Sequence, residues 1–576
     1  MISSLFVSPY ATLPEVFEAM ERATQQKQPR GIVLVVNEDK GLLGTITDGD
    51  IRRAIINSGN LNFAAKDVMN ARPITFSSQY SASQIIEELP QKLNDRSSNS
   101  RKFLSKILLV DLENRPVRVL EYHELWEQRV ATHRHIVVVG LGYVGLTLAL
   151  ALVDEGFYLS GYDVDDKKIA MLNEGHSYIH ELGLPTLLKE HVGKNFNPVT
   201  DLPASGDVYI ISVGTPVVQK AGHNIPTPQL DYLDSAVRQI GEKLERGNLV
   251  ILRSTVPIGT CREFVIPLLE EVSGLRCGLD FHVSFAPERT AEGKAIKELR
   301  ELPQIIGGYN KDAVEATVAI FRDLTSTIVR VESLEAAEMI KLINNSFRDY
   351  VFAFANELSV LASNYNINIV EAIKAANKGY PRNPVPLPSP GVGGPCLTKD
   401  PYIFANVAQK NAMDGQLFIT GRSVNESMHG HIVRRLDEQL QKLGKSIDQT
   451  SILICGLAFK GHPETGDIRN SSSVEVYKML EAKGATVYGY DPVALKEDLE
   501  SFKITERNIN DSLEELDVIL FLNNHKSFEK LNVFKILREM NEYPIFFDGW
   551  SQFHTDDILN ARPSIYMNLS AVSSSI

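Results

Sequence analysis

One uncharged stretch of this chain, Ile136 to Val153, reaches the length of a membrane span, and its internal order decides what it becomes. It opens on the β-branched residues Ile136-Val-Val-Val139, is interrupted by Gly140, Gly142 and Gly145, and closes as an apolar helix pattern. A buried strand, a phosphate turn and a packed helix fit that order, and a transmembrane helix does not. In Gly140-Leu-Gly142-Tyr143-Val144-Gly145 the first glycine permits the tight turn, the second lets backbone approach a pyrophosphate, and the third packs helix on strand. Asp163 closes the following strand. A carboxylate there accepts hydrogen bonds from a ribose 2′-hydroxyl and repels a 2′-phosphate, so the segment predicts NAD over NADP.

The balance of 59 basic against 72 acidic residues, a net charge of -13, argues against nucleic acid or an anionic membrane as the main partner. Anionic substrates must then be met by local lysines and arginines. Cys261, Cys277, Cys396 and Cys455 are too few and too scattered in 576 residues for a disulfide framework or a zinc site. No metal is expected. The N-terminus lacks the basic region of a secretory signal, and a reducing cytoplasm fits the cysteine usage.

A chain of this length needs several cores. Residues 1–130 carry short alternating strands, GIVLVVNE and GLLGTITD, then the helix start DGDIRRAIINSG. A weak copy, SKILLVDLENRPVRVLEYHELWEQ, follows about 74 residues downstream when Glu124 is matched to Asp50, the mark of a tandem α+β pair whose halves cover each other's apolar faces. The polar stretch near 93–102 reads as a surface excursion. Residues 134–333 alternate strands with helices, as in a doubly wound parallel sheet. Residues 334–444 read as helical around the loop GYPRNPVPLPSPGVGG, and such an insert commonly supplies a dimer interface, so a homodimer or higher homo-oligomer is expected. Residues 449–576 return to strand-helix alternation. The expected fold class is α/β: two Rossmann-like doubly wound domains joined by a central helical domain and preceded by the α+β pair.

Cys396-Leu-Thr-Lys399-Asp400 sits behind the glycine run. A thiol beside a hydride acceptor suggests an aldehyde held covalently and oxidised a second time, because a thiohemiacetal releases hydride more readily than an aldehyde hydrate. Lys399 could lower the thiol pKa. Lys341 and Asn345, four apart, share one face of the central helix and could direct a charged donor and an amide at one oxygen. Lys460, with Asp467 and Arg469 behind it, follows the first strand of the last domain, where phosphate-bearing ligands bind. Thr255 and Glu288 terminate strands. Each has a plain alternative: a buried core cysteine, a solvated lysine with a surface asparagine, a surface charge run.

Together VVVGLGYVGLTLA, ISVGTP, STVPIGT, APERTAEG, KLINN, GVGGPCLTKDPY and GLAFK with GDIRNSS closely resemble the nucleotide-sugar 6-dehydrogenases, over roughly residues 134 to 570. The resemblance implies four-electron oxidation of a UDP-sugar at C6 by NAD, with Cys396 as the nucleophile and Lys341 and Asn345 stabilising the oxyanion. It implies that Asp400 assists through a water and that Glu288 and Thr255 serve water activation and thioester hydrolysis. Gly214, Thr215 and Pro216 line the NAD side with Thr255, Lys399 and Arg469. Substrate contacts fall to Lys460, Gly393, Glu288, Lys341, Asn345 and Arg382, the last across a dimer. APER resembles the N-acetylhexosamine branch, pointing to UDP-N-acetylglucosamine or UDP-N-acetylmannosamine; the lysine of LTKD is shared with the UDP-glucose branch, which stands as the alternative.

The N-terminal tandem resembles a pair of CBS domains, in which Thr47 and Asp50 match positions that hold an adenine nucleotide. The second repeat has Glu121 and Glu124 there, so one nucleotide site is expected. The rival readings are a two-electron β-hydroxyacid dehydrogenase, which has no need of Cys396, and a nucleotide-sensing protein without turnover.

Overall fold

The computed structural model describes residues 2–25, 28–59, 62–78, 106–121, 134–382 and 384–575, together with Tyr80, Ile85, Glu88, Leu89 and Lys92. Glu124, the 93–102 stretch and the link 130–133 lie outside the described residues.

Two small sheets of one plan open the chain. In the first, β1 (Phe6–Val7) runs parallel to β2 (Ile32–Val36), which pairs antiparallel with β3 (Leu42–Thr47). In the second, β4 (Thr75–Ser77), β5 (Lys106–Val110) and β6 (Pro116–Glu121) repeat the arrangement. The copy extends to detail: Ile32↔Thr47 is matched by Lys106↔Glu121, and both hairpins slip register at the same step, Val35/Val36 and Leu109/Val110. Both also turn through a left-handed residue, Lys40 and Asn114. Helix α1 (Leu13–Gln25) closes a core of Val16, Val33 and Ile46 over the first sheet, while Leu34 and Leu108 share a second core between the repeats. Helix α2 (Asp48–Ser58) follows β3.

The second repeat does not stop at its own core. Ile74, Phe76, Ile107 and Leu120 belong to one continuous apolar cluster with Ile136, Val138, Val314 and Val318 of the next unit. That unit is built on β7 (His135–Val139), β8 (Tyr158–Tyr162), β9 (Phe196–Val199), β10 (Val208–Ile211), β13 (Leu249–Leu252), β14 (His282–Phe285), β15 (Gln304–Gly308) and β16 (Ile328–Arg330), with a short β11–β12 hairpin (Val217–Val218, Thr227–Pro228) above it. Their order is β16-β15-β14-β13-β10-β7-β8-β9. The strands from β9 to β14 are parallel, but β15 pairs antiparallel with β14, which corrects the expectation of a wholly parallel sheet. Gln304–Gly308 is buried along its whole length, and a strand covered on both faces carries an apolar run that reads alike in either direction. Strand β9 escaped the sequence reading because Pro198 interrupts it; at a sheet edge its missing N–H is tolerated. The uncharged run itself becomes β7 and helix α3 (Tyr143–Asp154), buried from Gly145 to Val153.

After α4 (Lys311–Phe321), the 30-residue helix α5 (Leu334–Ser363) crosses to α6 (Asp400–Lys410) and α7 (Gln416–Lys442). The last sheet has order β18-β17-β19-β20-β21-β22, with β17 (Ser451–Cys455) central between β18 (Thr486–Tyr490) and β19 (Val518–Phe521). β20 (Ile545–Asp548), β21 (Ile565–Met567) and an antiparallel β22 (Val572–Ser574) complete it, and α8 (Ser472–Ala482) packs on it. Among the described residues no helix is long and apolar enough to cross a membrane.

Because the second repeat shares its core with the dinucleotide unit, Phe76→Ala should cost about 3–5 kcal/mol and loosen both. Hydrogen exchange is expected to rise in α4 as well as in β5. Val16→Ala, in the separate core of the first repeat, should leave exchange in α4 unchanged.

Candidate active site

The glycine turn has the shape a dinucleotide needs. A Cβ on Gly145 would lie 1.8 Å from the Gly140 carbonyl oxygen, whereas one on Gly142 would meet nothing within 4 Å, leaving open space over the start of α3. Asp163 accepts hydrogen bonds from Leu141 N (2.8 Å) and Asp165 N (3.1 Å), which fixes its carboxylate against the turn. The Tyr143 hydroxyl donates to Glu181, and Gly293 N donates to both, at 3.0 Å and 2.7 Å. Burial pushes the Tyr143 pKa well up, so it stays a donor. Val144 follows on the first turn of α3. Glu181, which ties the fingerprint to the APERTAEG loop, carries no sequence signal by which it could have been chosen.

One face of α5 organises the reacting side chains. Glu338 is fully buried and accepts from Gly259 N (2.6 Å) and Cys261 N (2.8 Å), holding the STVPIGT loop on which Thr255 lies. Burial raises its pKa to about 7. The Thr215 hydroxyl donates to the Thr255 carbonyl, joining that loop to Gly214-Thr215-Pro216. One turn along the helix, the Lys341 ammonium donates to the main-chain carbonyl of Glu288. One further turn on, Asn345 Nδ2 donates to Asp400 Oδ2 at 2.5 Å. Lys341 and Asn345 thus share a face as their spacing predicts, and each holds a different loop.

Glu288 is held on several sides. Its carboxylate pairs with buried Arg253 and accepts from Arg289 N (2.6 Å) and Thr290 N (2.7 Å). Burial alone would raise its pKa, but Arg253, the Thr290 N–H and Lys341 outweigh that and lower it. A carboxylate so engaged is a weak base. Glu292, four residues on, differs: burial lifts its pKa to about 7, with Asp467 adding to the rise and Lys460 and Arg469 opposing it. Sequence reasoning passed over Glu292, since only its neighbours across the domain boundary distinguish it. Lys460 Nζ donates to the Glu292 carbonyl at 2.8 Å, and Thr465 Oγ1 to its carboxylate at 3.2 Å.

The cysteine loop is wedged against the C-terminal unit. Gly394 has φ +93°, and a Cβ there would strike the Phe459 ring at 2.7 Å; one on Gly393 would lie 2.5 Å from the Asn470 carbonyl, so Gly393 makes room for backbone. Cys396 is the one cysteine of the four that is not buried. The protein packed around its sulfur raises the thiol pKa, Lys341 opposes the rise, Asp400 reinforces it, and Lys399 opposes it more weakly. The expected lowering by Lys399 is therefore present but outweighed by burial, and that ammonium is itself paired with Asp400 at 2.8 Å. Asp400 is fully buried, with one oxygen accepting from Asn345 and the other from Lys399. A cleft of about 1030 Å³ opens beside the loop, lined by Gly214, Thr215, Pro216, Lys399, Tyr402 and Arg469. Arg469 pairs with Asp467 (2.5 Å). Arg382 does not line this cleft: it is exposed, its guanidinium 5.8 Å from the Tyr380 ring centre.

In the N-terminal module Thr47 and Asp50 are engaged with each other. Asp50 Oδ2 accepts from Thr47 N (2.9 Å) and Oγ1 (2.6 Å), a capping box that starts α2, and Arg53 lies 2.5 Å from Oδ1.

Comparison with known proteins agrees with this geometry. Residues 134–325 match the NAD binding domain of the UDP-glucose/GDP-mannose dehydrogenase family, 335–427 its central domain and 453–555 its UDP binding domain; residues 1–57 match a CBS domain. The UDP-N-acetyl-D-mannosamine dehydrogenase of Pyrococcus horikoshii is 36% identical over 422 residues, 72% of this chain and 94% of that one. That of Campylobacter jejuni is 32% identical, covering 70% and 98%. The solved structure of the Pyrococcus horikoshii UDP-D-ManNAc dehydrogenase superposes with a TM-score of 0.67 at 32% identity, over 76% of this chain and 99% of its own. A dinucleotide turn, a solvent-facing cysteine and a central helix that joins them, in a chain so matched, make this protein an NAD-dependent nucleotide-sugar dehydrogenase belonging to the UDP-glucose/GDP-mannose dehydrogenase family.

Proposed function

We propose that the chain oxidises C6 of a UDP-N-acetylhexosamine, UDP-N-acetylmannosamine before its gluco epimer, from alcohol to acid. The observation that carries this reading is Cys396, the one exposed cysteine of the four, beside a cleft and within the field of Lys341. NAD, when bound, supplies the acceptor for each pair of electrons. Cys396 adds to the aldehyde carbon, its proton passing to the carbonyl oxygen, to form a thiohemiacetal; loss of hydride from that carbon and of the hydroxyl proton to solvent leaves a thioester, which water cleaves to the acid and the free thiol. Lys341 and Asn345 leave their loop partners to donate to the oxygen on C6 as charge develops there. Glu292 takes the proton of the attacking water, the task for which a pKa of about 7 suits it. Lys460 and Arg469 hold diphosphate and cofactor from the C-terminal side, and Asp163 accepts from the adenosine ribose. UDP-glucose remains the second candidate, on the lysine of LTKD.

The opposite face of α5 exposes Ile343, Phe347, Tyr350, Phe354 and Leu361, a stripe at helical spacing that suits a second copy of this chain. In such a homodimer Arg382 is our candidate for a sugar or diphosphate contact across the interface. A reducing cytoplasm suits four free cysteines. In the N-terminal module an adenine nucleotide would engage Thr47 and Asp50, and the core shared between β5 and α4 offers a route to the active unit.

Two NADH should form per sugar consumed. Cys396→Ser should abolish acid formation with NAD affinity near normal, read by absorbance and calorimetry; release of free aldehyde by the wild-type enzyme after one NADH would refute the covalent scheme. Glu292 fixes the pH dependence: protonated below about 7 it cannot act as base, so thioester hydrolysis should climb about tenfold per pH unit up to that value and level off above it. Glu292→Gln should remove that limb in single-turnover measurements. For the N-terminal module, ATP, ADP or AMP should shift apparent sugar affinity roughly 5- to 150-fold, and Asp50→Ala should remove the response. A response that survives that substitution would place the nucleotide at the NAD or UDP-sugar site.

A further inference from the structure

Beyond the reacting groups, one buried guanidinium stands between the helix that carries the oxyanion donors and the loop that carries the nucleophile. Arg422, on α7, is 1% exposed. Its Nη1 donates to Asp349 Oδ1 on α5 at 2.6 Å and to the Leu397 carbonyl at 3.1 Å, and its Nη2 donates to the Val392 carbonyl at 2.8 Å. Val392 and Leu397 bracket Cys396. Asp349 is one turn beyond Asn345 and two beyond Lys341 on the same face of α5.

Neighbouring bonds extend the bridge. Asn425 Nδ2 donates to the Asp349 carbonyl (2.9 Å) and Oδ1 (2.8 Å), Asn356 Nδ2 donates to Asn425 Oδ1 (2.8 Å), and Ser389 N donates to Asn356 Oδ1 (2.8 Å). The Ser389 hydroxyl closes the chain on the Gly391 carbonyl at 2.9 Å. Two anchors therefore hold the loop to α5: Asn345–Asp400 after the cysteine, and Asp349–Arg422 with both carbonyls around it. A pair of apolar side chains would fill the same volume but leave two buried carbonyls without donors, which explains why a charged pair occupies a site where burial disfavours charge. Only a planar fork reaches three acceptors at once; an ammonium is a point donor.

We propose that Arg422, braced by Asp349, is a positioning residue that sets the separation and angle of the Cys396 sulfur relative to Lys341 and Asn345. The proposal rests on the reading of Cys396 as the nucleophile.

The test uses the full-length enzyme with UDP-N-acetylmannosamine and NAD, and the variants Arg422→Lys and Arg422→Met. Arg422→Lys keeps a cation beside Asp349, so it remains informative if the methionine variant does not fold. Turnover is read beside the pH profile of iodoacetamide alkylation, which reports on Cys396 because the other three cysteines are buried. In folded Arg422→Lys, kcat should fall about 10- to 100-fold with KM for the sugar within about threefold, the pattern of a misplaced reacting group. Its alkylation profile should move to higher pH as the thiol leaves the field of Lys341. A folded Arg422→Lys enzyme with wild-type kcat and a superimposable alkylation profile overturns the proposal, whatever its melting temperature. So does an equal loss of kcat and NAD affinity with an unmoved profile, which marks general loosening. Acid formation by Cys396→Ser, measured in parallel, removes instead the reading on which the proposal rests.

Discussion

A seam of polar side chains down one face of the central helix α5 holds the catalytic unit together. Glu338, Lys341, Asn345, Asp349 and Asn356 recur at helical spacing, and each grips a different segment: the STVPIGT loop, the APER carbonyl, the aspartate after the cysteine, the Arg422 guanidinium, and Asn425 with Ser389. A buried polar group without a partner costs about 1–3 kcal/mol, so such a seam is tolerable only when each member is satisfied. Its members come from segments far apart in sequence, and the helix acts as the ruler between them. Asp349 shows the strain involved, since burial lifts its pKa to about 6 despite an arginine at 2.6 Å.

The C-terminal unit completes the site from the other side. Phe459 and Asn470 press on Gly394 and Gly393, Lys460 reaches the Glu292 carbonyl, and Arg469 turns toward the cleft with Lys399. From this side Asp467 adds to the rise that burial gives the Glu292 pKa, while Lys460 and Arg469 oppose it. The N-terminal module is joined to the same body differently, through apolar surface: its second repeat continues the core of the dinucleotide unit, while the first keeps a core of its own. Stability and any ligand effect in the module therefore reach the enzyme through the second repeat.

The parts of the fold that follow from local pattern were legible in the chain. The strand, glycine turn and helix from His135 to Asp154 could be written down from glycine spacing and β-branching, and so could the tandem repeat, down to its offset. Lys341 and Asn345 could be placed on one face because helical spacing fixes that alone. What each then touches could not, nor could the pairing of Glu288 with the buried Arg253. The reverse direction of β15 and the Pro-containing edge strand β9 were hidden for a related reason: pairing direction and edge position belong to the sheet and not to the strand.

By itself the sequence determined the order of units, the dinucleotide turn, the cysteine loop and the class of enzyme, since these depend on residue types at short spacing. The tertiary structure decided which carboxyl has its pKa raised and which lowered, which cation pairs with which anion, and which side chains hold the cysteine loop. Those properties arise from burial and from charges brought together across more than a hundred positions of chain, as Lys460 is to Glu292. Local spacing carries no record of such meetings, because the desolvation and the field that set each group's behaviour exist only once the units have closed on one another.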